Sequence, residues 1–135
     1  MHQLVYISTS RREISPEMLR EILSVSRTNN ERVGVTGLLV SGGNRFLQVL
    51  EGPTEAVCNT YMRIEQDKRH FATVVLTSRS VSARAFGDWS MAFKQGSRAS
   101  DGTLREIVYG ITENLTDAGL RADFRGFAEL HSQAA

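Results

Sequence analysis

The sequence holds one cysteine, Cys58, among its 135 residues, so no intramolecular disulfide can form and paired-cysteine metal sites are excluded. Its three histidines, His2, His70 and His131, are too scattered to suggest a ligand set. No apolar run approaches the roughly 20 residues that a membrane-spanning helix needs, and the chain opens directly on a strand-like run rather than on a signal segment. Charge of one sign is lacking too. The balance of 16 Lys plus Arg against 15 Asp plus Glu leaves +1, too weak a field to draw nucleic acid or an anionic membrane. Walker-type phosphate loops, two-glycine dinucleotide turns and His-Glu-x-x-His are all missing. The expectation is a cytoplasmic protein with no metal, nucleic-acid or membrane partner.

What is present is an ordinary globular composition, 41% hydrophobic and 23% charged, enough for a single core. The run Leu4-Val5-Tyr6-Ile7 has no polar break and fits a buried central strand from Gln3 to Thr9. Ser15 and Pro16 read as the cap and first residue of a helix. Its stripe of Met18, Leu19, Ile22, Leu23 and Ser26 repeats at helical spacing, and its end is expected near Asn29 and Asn30. Val33 to Val40 and Phe46 to Leu50 read as strands joined through Ser41-Gly42-Gly43-Asn44, a hairpin. Thr54 opens a second helix with Val57, Tyr61 and Ile64 facing one way, stopped at Asp67-Lys68-Arg69. Ala72 to Thr77 and Asp88 to Lys94 read as strands around a loop, 78–87. Thr103 can then cap a helix carrying Leu104, Ile107, Val108, Ile111 and Leu115. A weaker helical stretch with Leu120, Phe124, Phe127 and Leu130 is interrupted by Gly119 and Gly126.

This order, β-α-β-β-α-β-β followed by helices, predicts an α+β sandwich of the ferredoxin-like kind. The handedness of the crossovers places the first two helices on one face of the sheet, leaving the other for the C-terminal amphipathic helix.

Polar residues stand where such a core would take hydrocarbon. Gln48 lies between Leu47 and Val49 and shares its parity with Phe46 and Leu50. A buried amide left unpaired costs about 1 to 3 kcal/mol, so a partner is required, and Tyr6 on the adjacent first strand is the natural one. Those two alone favour a pair that merely closes a core. Cys58, beside Val57, reads as a small buried hydrophobe.

Further segments enlarge the pattern. Leu4-Val5-Tyr6-Ile7-Ser8, Ser26-Arg27-Thr28-Asn29-Asn30, Gly34-Val35-Thr36-Gly37-Leu38-Leu39 and Phe46-Leu47-Gln48-Val49-Leu50-Glu51-Gly52-Pro53 together resemble the BLUF domains, blue-light sensors using FAD. Asp67-Lys68-Arg69-His70 and Asp88-Trp89-Ser90-Met91 extend the resemblance over about residues 1 to 95. It implies a photosensor unit over 1–96 and, over 97–135, a helical extension in the same structural unit serving output and oligomerisation, as in short single-domain members.

Carried over residue by residue, the resemblance makes Tyr6 and Gln48 the photoactive pair, with Trp89 and Met91 as the debated neighbours of the glutamine and Ser26 near the tryptophan. Asn30 would pair with the flavin's C(4) carbonyl and N(3)–H. Asn29, Arg63 and Asp67 would lie near the pyrimidine end, and Ile22 and Ile64 would flank the ring. Phe46 and His70 complete the implied cofactor-binding set. Arg63 and Asp67, four apart, are also expected to form an ion pair on the second helix. The implied cofactor is FAD, for which FMN or riboflavin can substitute, since nothing in the sequence addresses an adenine. The implied chemistry is electron transfer from Tyr6 to the excited flavin, proton transfer through Gln48, and recombination to a rearranged hydrogen-bond network with a red-shifted spectrum.

The implied product is a signal to a separate protein effector, not enzymatic turnover. The competing reading is a small ferredoxin-like hydrolase of the acylphosphatase type, which fold alone does not exclude. It would need a glycine-rich anion loop after the first strand, where this chain has Ser8-Thr9-Ser10-Arg11-Arg12. The apolar surface of the extension, Phe124 and Phe127 included, exceeds what one helix pair should bury on an open sheet face, so a homo-oligomer is expected.

Overall fold

A computed structural model describes residues 1–86, 92–96, 104–113 and 115–131, with the backbone alone for 92–96, 104 and 131. Strand β1 (His2–Ser10) leads into helix α1 (Pro16–Val33), the hairpin of β2 (Thr36–Gly42) and β3 (Arg45–Gly52), helix α2 (Thr54–Glu65) and strand β4 (His70–Ser80). Strand β5 (Ala92–Gly96) and helices α3 (Leu104–Thr112) and α4 (Ala118–His131) follow.

The five strands form one sheet in the order β4-β1-β3-β2-β5. The first four are antiparallel to their neighbours, and β5 runs parallel to β2. This is the ferredoxin-like α+β arrangement expected from the element order, with a fifth strand added beyond β2.

Local chemistry accounts for most boundaries. Ser15 Oγ accepts from the Met18 amide at 3.1 Å and Pro16 opens α1. The helix runs a turn past the expected stop at Asn29 and Asn30. It ends where Gly34 takes φ 75 and donates its N–H back to the Asn30 carbonyl, a left-handed cap that a β-branched residue could not supply. The hairpin turn is tighter than expected, closing at Gly43 with φ 58 and Asn44. β4 is longer than the expected Ala72 to Thr77, because β1 pairs with it along nearly its whole length. Ala72, at φ 54, sits where the β1–β4 register slips, a bulge. Gly126 does not interrupt α4, which is continuous from Ala118 and capped by the Asp117 carboxylate on the Leu120 amide at 2.9 Å. Leu115 falls beyond the end of α3 but still packs on the core. The first part of the expected strand Asp88 to Lys94 lies outside the described residues.

Period-two alternation divides the sheet into two cores. Leu4, Tyr6, Leu39, Phe46 and Leu50 pack with Leu19, Leu23 and Val57 of α1 and α2. Val5, Leu38, Val40, Leu47 and Val49 pack on the other face with Val108, Leu120, Phe124 and Phe127 of α3 and α4. Phe124 is fully buried, edge-on to Phe86 at 5.5 Å between centroids, and Phe127 is 3% exposed. These two phenylalanines are satisfied within the chain, whereas Tyr109 and Leu130 of the same two helices stay exposed. Phe71, Val74, Val75 and Leu76 form a run of exposed large apolar residues on edge strand β4. Cys58 is exposed rather than buried; α2 turns Val57 and Thr60 inward, and the helical rotation carries Cys58 out.

A buried carboxylate ties the chain after β4 to the sheet. Glu51, fully buried, accepts from Gln3 Nε2 at 2.9 Å and from the Ala85 and Phe86 amides at 2.8 and 2.9 Å. Gln3 Oε1 accepts in turn from Arg79 Nε at 2.9 Å, and Arg79 pairs with Asp117 at the head of α4, 2.7 Å. No described helix is long and apolar enough to cross a membrane.

Candidate functional site

On the α1–α2 face the sheet floor and the two helices enclose a cleft of about 770 Å³, its open mouth included. The floor is Tyr6 and Ser8 of β1, Phe46 and Gln48 of β3, and Leu39 of β2. One wall is the α1 stripe Met18, Ile22, Val25, Ser26, Asn29 and Asn30; the other is Thr60, Arg63 and Ile64 of α2, continued by Asp67, Arg69 and His70.

The cross-strand register makes Tyr6 the direct partner of Gln48 and Gln48 that of Leu39. The Tyr6 hydroxyl donates to Gln48 Oε1, the bond expected between them. Both side chains are almost wholly buried, and the Tyr61 ring stands edge-on to Tyr6 at 5.2 Å. Burial pushes the Tyr6 phenol well above its ordinary value of 10.0, and the negative charge that Tyr61 would carry and that of Asp67 push the same way. Tyr6 therefore stays a neutral donor at any physiological pH.

Asn30 is 1% exposed, held in place because its carbonyl accepts from both Gly34 and Val35, the latter at 2.9 Å. At the other end of the cleft, α2 stops at Glu65, so Asp67 is not on the helix. The expected Arg63–Asp67 ion pair is replaced by Arg69, whose backbone N–H and Nε reach Asp67 Oδ1 at 2.9 and 3.0 Å. Hydrogen bonding from Arg69 holds the Asp67 carboxyl below its ordinary range despite partial burial. His70 Nε2 lies 2.6 Å from the Ile64 carbonyl.

Every cofactor-site residue expected from the sequence, Tyr6, Ile22, Ser26, Asn29, Asn30, Phe46, Gln48, Arg63, Ile64, Asp67 and His70, lines this one cleft. Trp89 and Met91 lie outside the described residues. Sequence reasoning left out Ser8, Met18, Val25, Leu39, Thr60 and Arg69. Parity with Tyr6 could have found Ser8, and helical spacing from Ile22 and Ile64 could have found Met18 and Thr60. Leu39 and Arg69 needed the sheet register and the end of α2.

The lining suits a flat aromatic ring with a polar rim. Aliphatic Ile22 and Ile64 stand on facing helices, amides and a hydroxyl gather at Gln48, Asn30 and Tyr6, and an Asp–Arg pair sits at the mouth. Two more hydroxyls, Ser8 Oγ and Thr60 Oγ1, are buried in the lining without a hydrogen-bond partner. These residues fit a flavin: they offer apolar side chains to an aromatic ring and amides and hydroxyls to its heteroatoms.

Comparison with known proteins agrees. Residues 1–92 match the family model BLUF, "Sensors of blue-light using FAD". The chain is 29% identical over 119 residues to the photoactivated adenylate cyclase subunit beta of Euglena gracilis, covering 86% of this chain and 14% of that protein. It is 38% identical over 88 residues to the blue light- and temperature-regulated antirepressor BluF of Escherichia coli (strain K12), covering 65% of this chain and 22% of that one. The chain thus spans only a small part of these relatives. Among solved structures, BlrB, a BLUF protein in its dark state, superposes with a TM-score of 0.72 at 26% identity, over 96% of each chain. BlsA in its photo-activated state gives 0.73 at 27% identity, over 94% of this chain and 93% of that one.

Proposed function

The chain belongs to the BLUF family of blue-light sensors, and on that premise we propose that it is a flavin photoreceptor in which Tyr6 and Gln48 convert absorbed light into a rearranged hydrogen-bond network. The family is described as sensors of blue light using FAD, and so binds a flavin. FAD is the form we assign, with FMN and riboflavin able to replace it because the cleft lining addresses the ring. The observation that carries the reading is the Tyr6–Gln48 bond on the floor of the cleft between Ile22 and Ile64.

A bound flavin supplies absorption of blue light and an excited state that accepts an electron. Tyr6 is the nearby oxidisable group, and its proton is already shared with Gln48 Oε1. Loss of an electron makes the phenol strongly acidic, so the proton leaves along that bond and Gln48 must reorganise its amide. Asn30 and the Asp67–Arg69 pair would hold the ring's polar edge in both states. Strand β3 turns Gln48 toward the cleft and Leu47 and Val49 toward Phe124 and Phe127. Reorganisation at Gln48 therefore bears on the packing of α3 and α4, which offer the signal to a separate protein effector. The unit 1–96 with its extension 97–135 acts as one sensor body, because the extension supplies half of one core.

The purified protein should be yellow and shift its absorption to the red under blue light. Gln48→Leu and Tyr6→Phe should keep the flavin and lose the normal red-shifted product, whereas Asn30→Ala should weaken flavin retention. A protein that cannot be loaded with any flavin, or a Tyr6→Phe variant with an unaltered photocycle, would refute the reading.

A further inference from the structure

Ser8 and Thr60 are each 3% exposed, yet Ser8 Oγ and Thr60 Oγ1 have no hydrogen-bond partner, the two such side-chain atoms among the described residues. Both line the cleft. An unpaired buried hydroxyl opposes folding and calls for an explanation. The usual escape for a helical threonine is a bond to the carbonyl four residues back. Thr28 takes it on Ser24 at 3.0 Å and Thr112 takes it on Val108 at 2.7 Å. Thr60, in the middle of α2, does not take it on Ala56. Valine would fill that apolar wall with the same shape and no unpaired group. Ser8 repeats the case on the floor: it follows Tyr6 on the same face of β1, opposite Phe46 and two register steps from the Tyr6–Gln48 pair.

We propose that Ser8 and Thr60 are ligand-contacting residues, each giving or accepting one hydrogen bond at the heteroatom rim of the bound flavin ring, Ser8 from the sheet and Thr60 from α2. The proposal rests on the flavin reading and adds to it two polar contacts from residues outside the Tyr6, Gln48 and Asn30 set. Because the contacts fall on the ring, they serve riboflavin, FMN and FAD alike.

The test is flavin release from the loaded protein, read as recovery of flavin fluorescence on dilution, for wild type, Ser8→Ala, Thr60→Val and Thr60→Ser. Loss of one hydrogen bond should speed release about fivefold to tenfold in Ser8→Ala and Thr60→Val. Thr60→Ser, which keeps the hydroxyl and gives up the methyl, should stay near wild type. A role in packing alone reverses the Thr60 pair, with Val harmless and Ser damaging, and overturns the proposal. So does unchanged release from both Ser8→Ala and Thr60→Val, while leaving the flavin reading intact. An acceleration seen with FAD but not with riboflavin places the hydroxyls against the nucleotide tail and overturns the ring assignment. Wild type that holds no flavin overturns the flavin reading and this proposal with it.

Discussion

Glu51→Gln isolates the contribution of the buried carboxylate that anchors the chain after β4. The side chain keeps its volume, so packing is preserved and only hydrogen bonding and charge change. Glu51 Oε2 accepts from Gln3 Nε2 at 2.9 Å and the Ala85 amide at 2.8 Å, and Oε1 accepts from the Phe86 amide at 2.9 Å. A glutamine has one acceptor oxygen. Placed at Oε2 it strands Phe86 N–H against its own NH2; placed at Oε1 it strands Ala85 N–H and Gln3. A lost charge-assisted bond with a buried donor left facing another donor costs about 2 to 4 kcal/mol. Neutralising a buried charge returns part of this, leaving a net destabilisation of about 2 kcal/mol. At about 4 °C per kcal/mol for a chain of this size, the melting temperature should fall by about 8 °C. Urea unfolding measures the loss, and amide hydrogen exchange localises it, with faster exchange at Ala85 and Phe86 and little change on α1. A variant as stable as wild type, with unaltered exchange at those two amides, would show that the carboxylate does not hold this segment.

Phe124→Ala should cost about 3 to 5 kcal/mol in urea unfolding, because the ring is fully buried against Phe86 and the sheet; a loss under about 1 kcal/mol would mean that α4 does not complete the core. Tyr6 should ionise late in an alkaline absorbance titration: its folded value is raised above 10.0, so the folded state keeps a proton the unfolded state releases, and stability falls as pH climbs past that value. The late phase should vanish in Tyr6→Phe, and its persistence would assign it elsewhere. Asp67 behaves oppositely. Its folded value lies below 3.8, so its contribution is present above that pH and disappears as pH falls through the folded value. With the side chain 30% exposed the effect should be below about 1 kcal/mol, and Asp67→Asn should flatten the acid limb of the stability curve by that amount; an unchanged limb would discount the Arg69 pairing.

The architecture was legible in the sequence because most of the signals for it are local. Ser15-Pro16, the glycine-rich hairpin turn and the alternation of Phe46 through Leu50 are read from neighbours a few residues apart, and they specify which residues face which side. Parity also exposed Gln48 as a polar group out of place beside Tyr6, and the resemblance across further segments made the pair a site. Helix ends were less legible: two asparagines suggested a stop at Asn30, yet α1 runs on through an exposed last turn to its left-handed cap at Gly34. The fates of Cys58, Phe124 and Asp67 belonged to the tertiary structure. Which way Cys58 faces depends on how α2 is rotated on the sheet. Whether Phe124 is satisfied depends on the area the opposite face offers. The partner of Asp67 depends on α2 ending two residues before it, which brings Arg69 rather than Arg63 within reach. Ser8 and Thr60 show the same limit, since a missing hydrogen bond is a relation among groups distant in the chain, and only the packed cleft reveals that both hydroxyls face it without a partner.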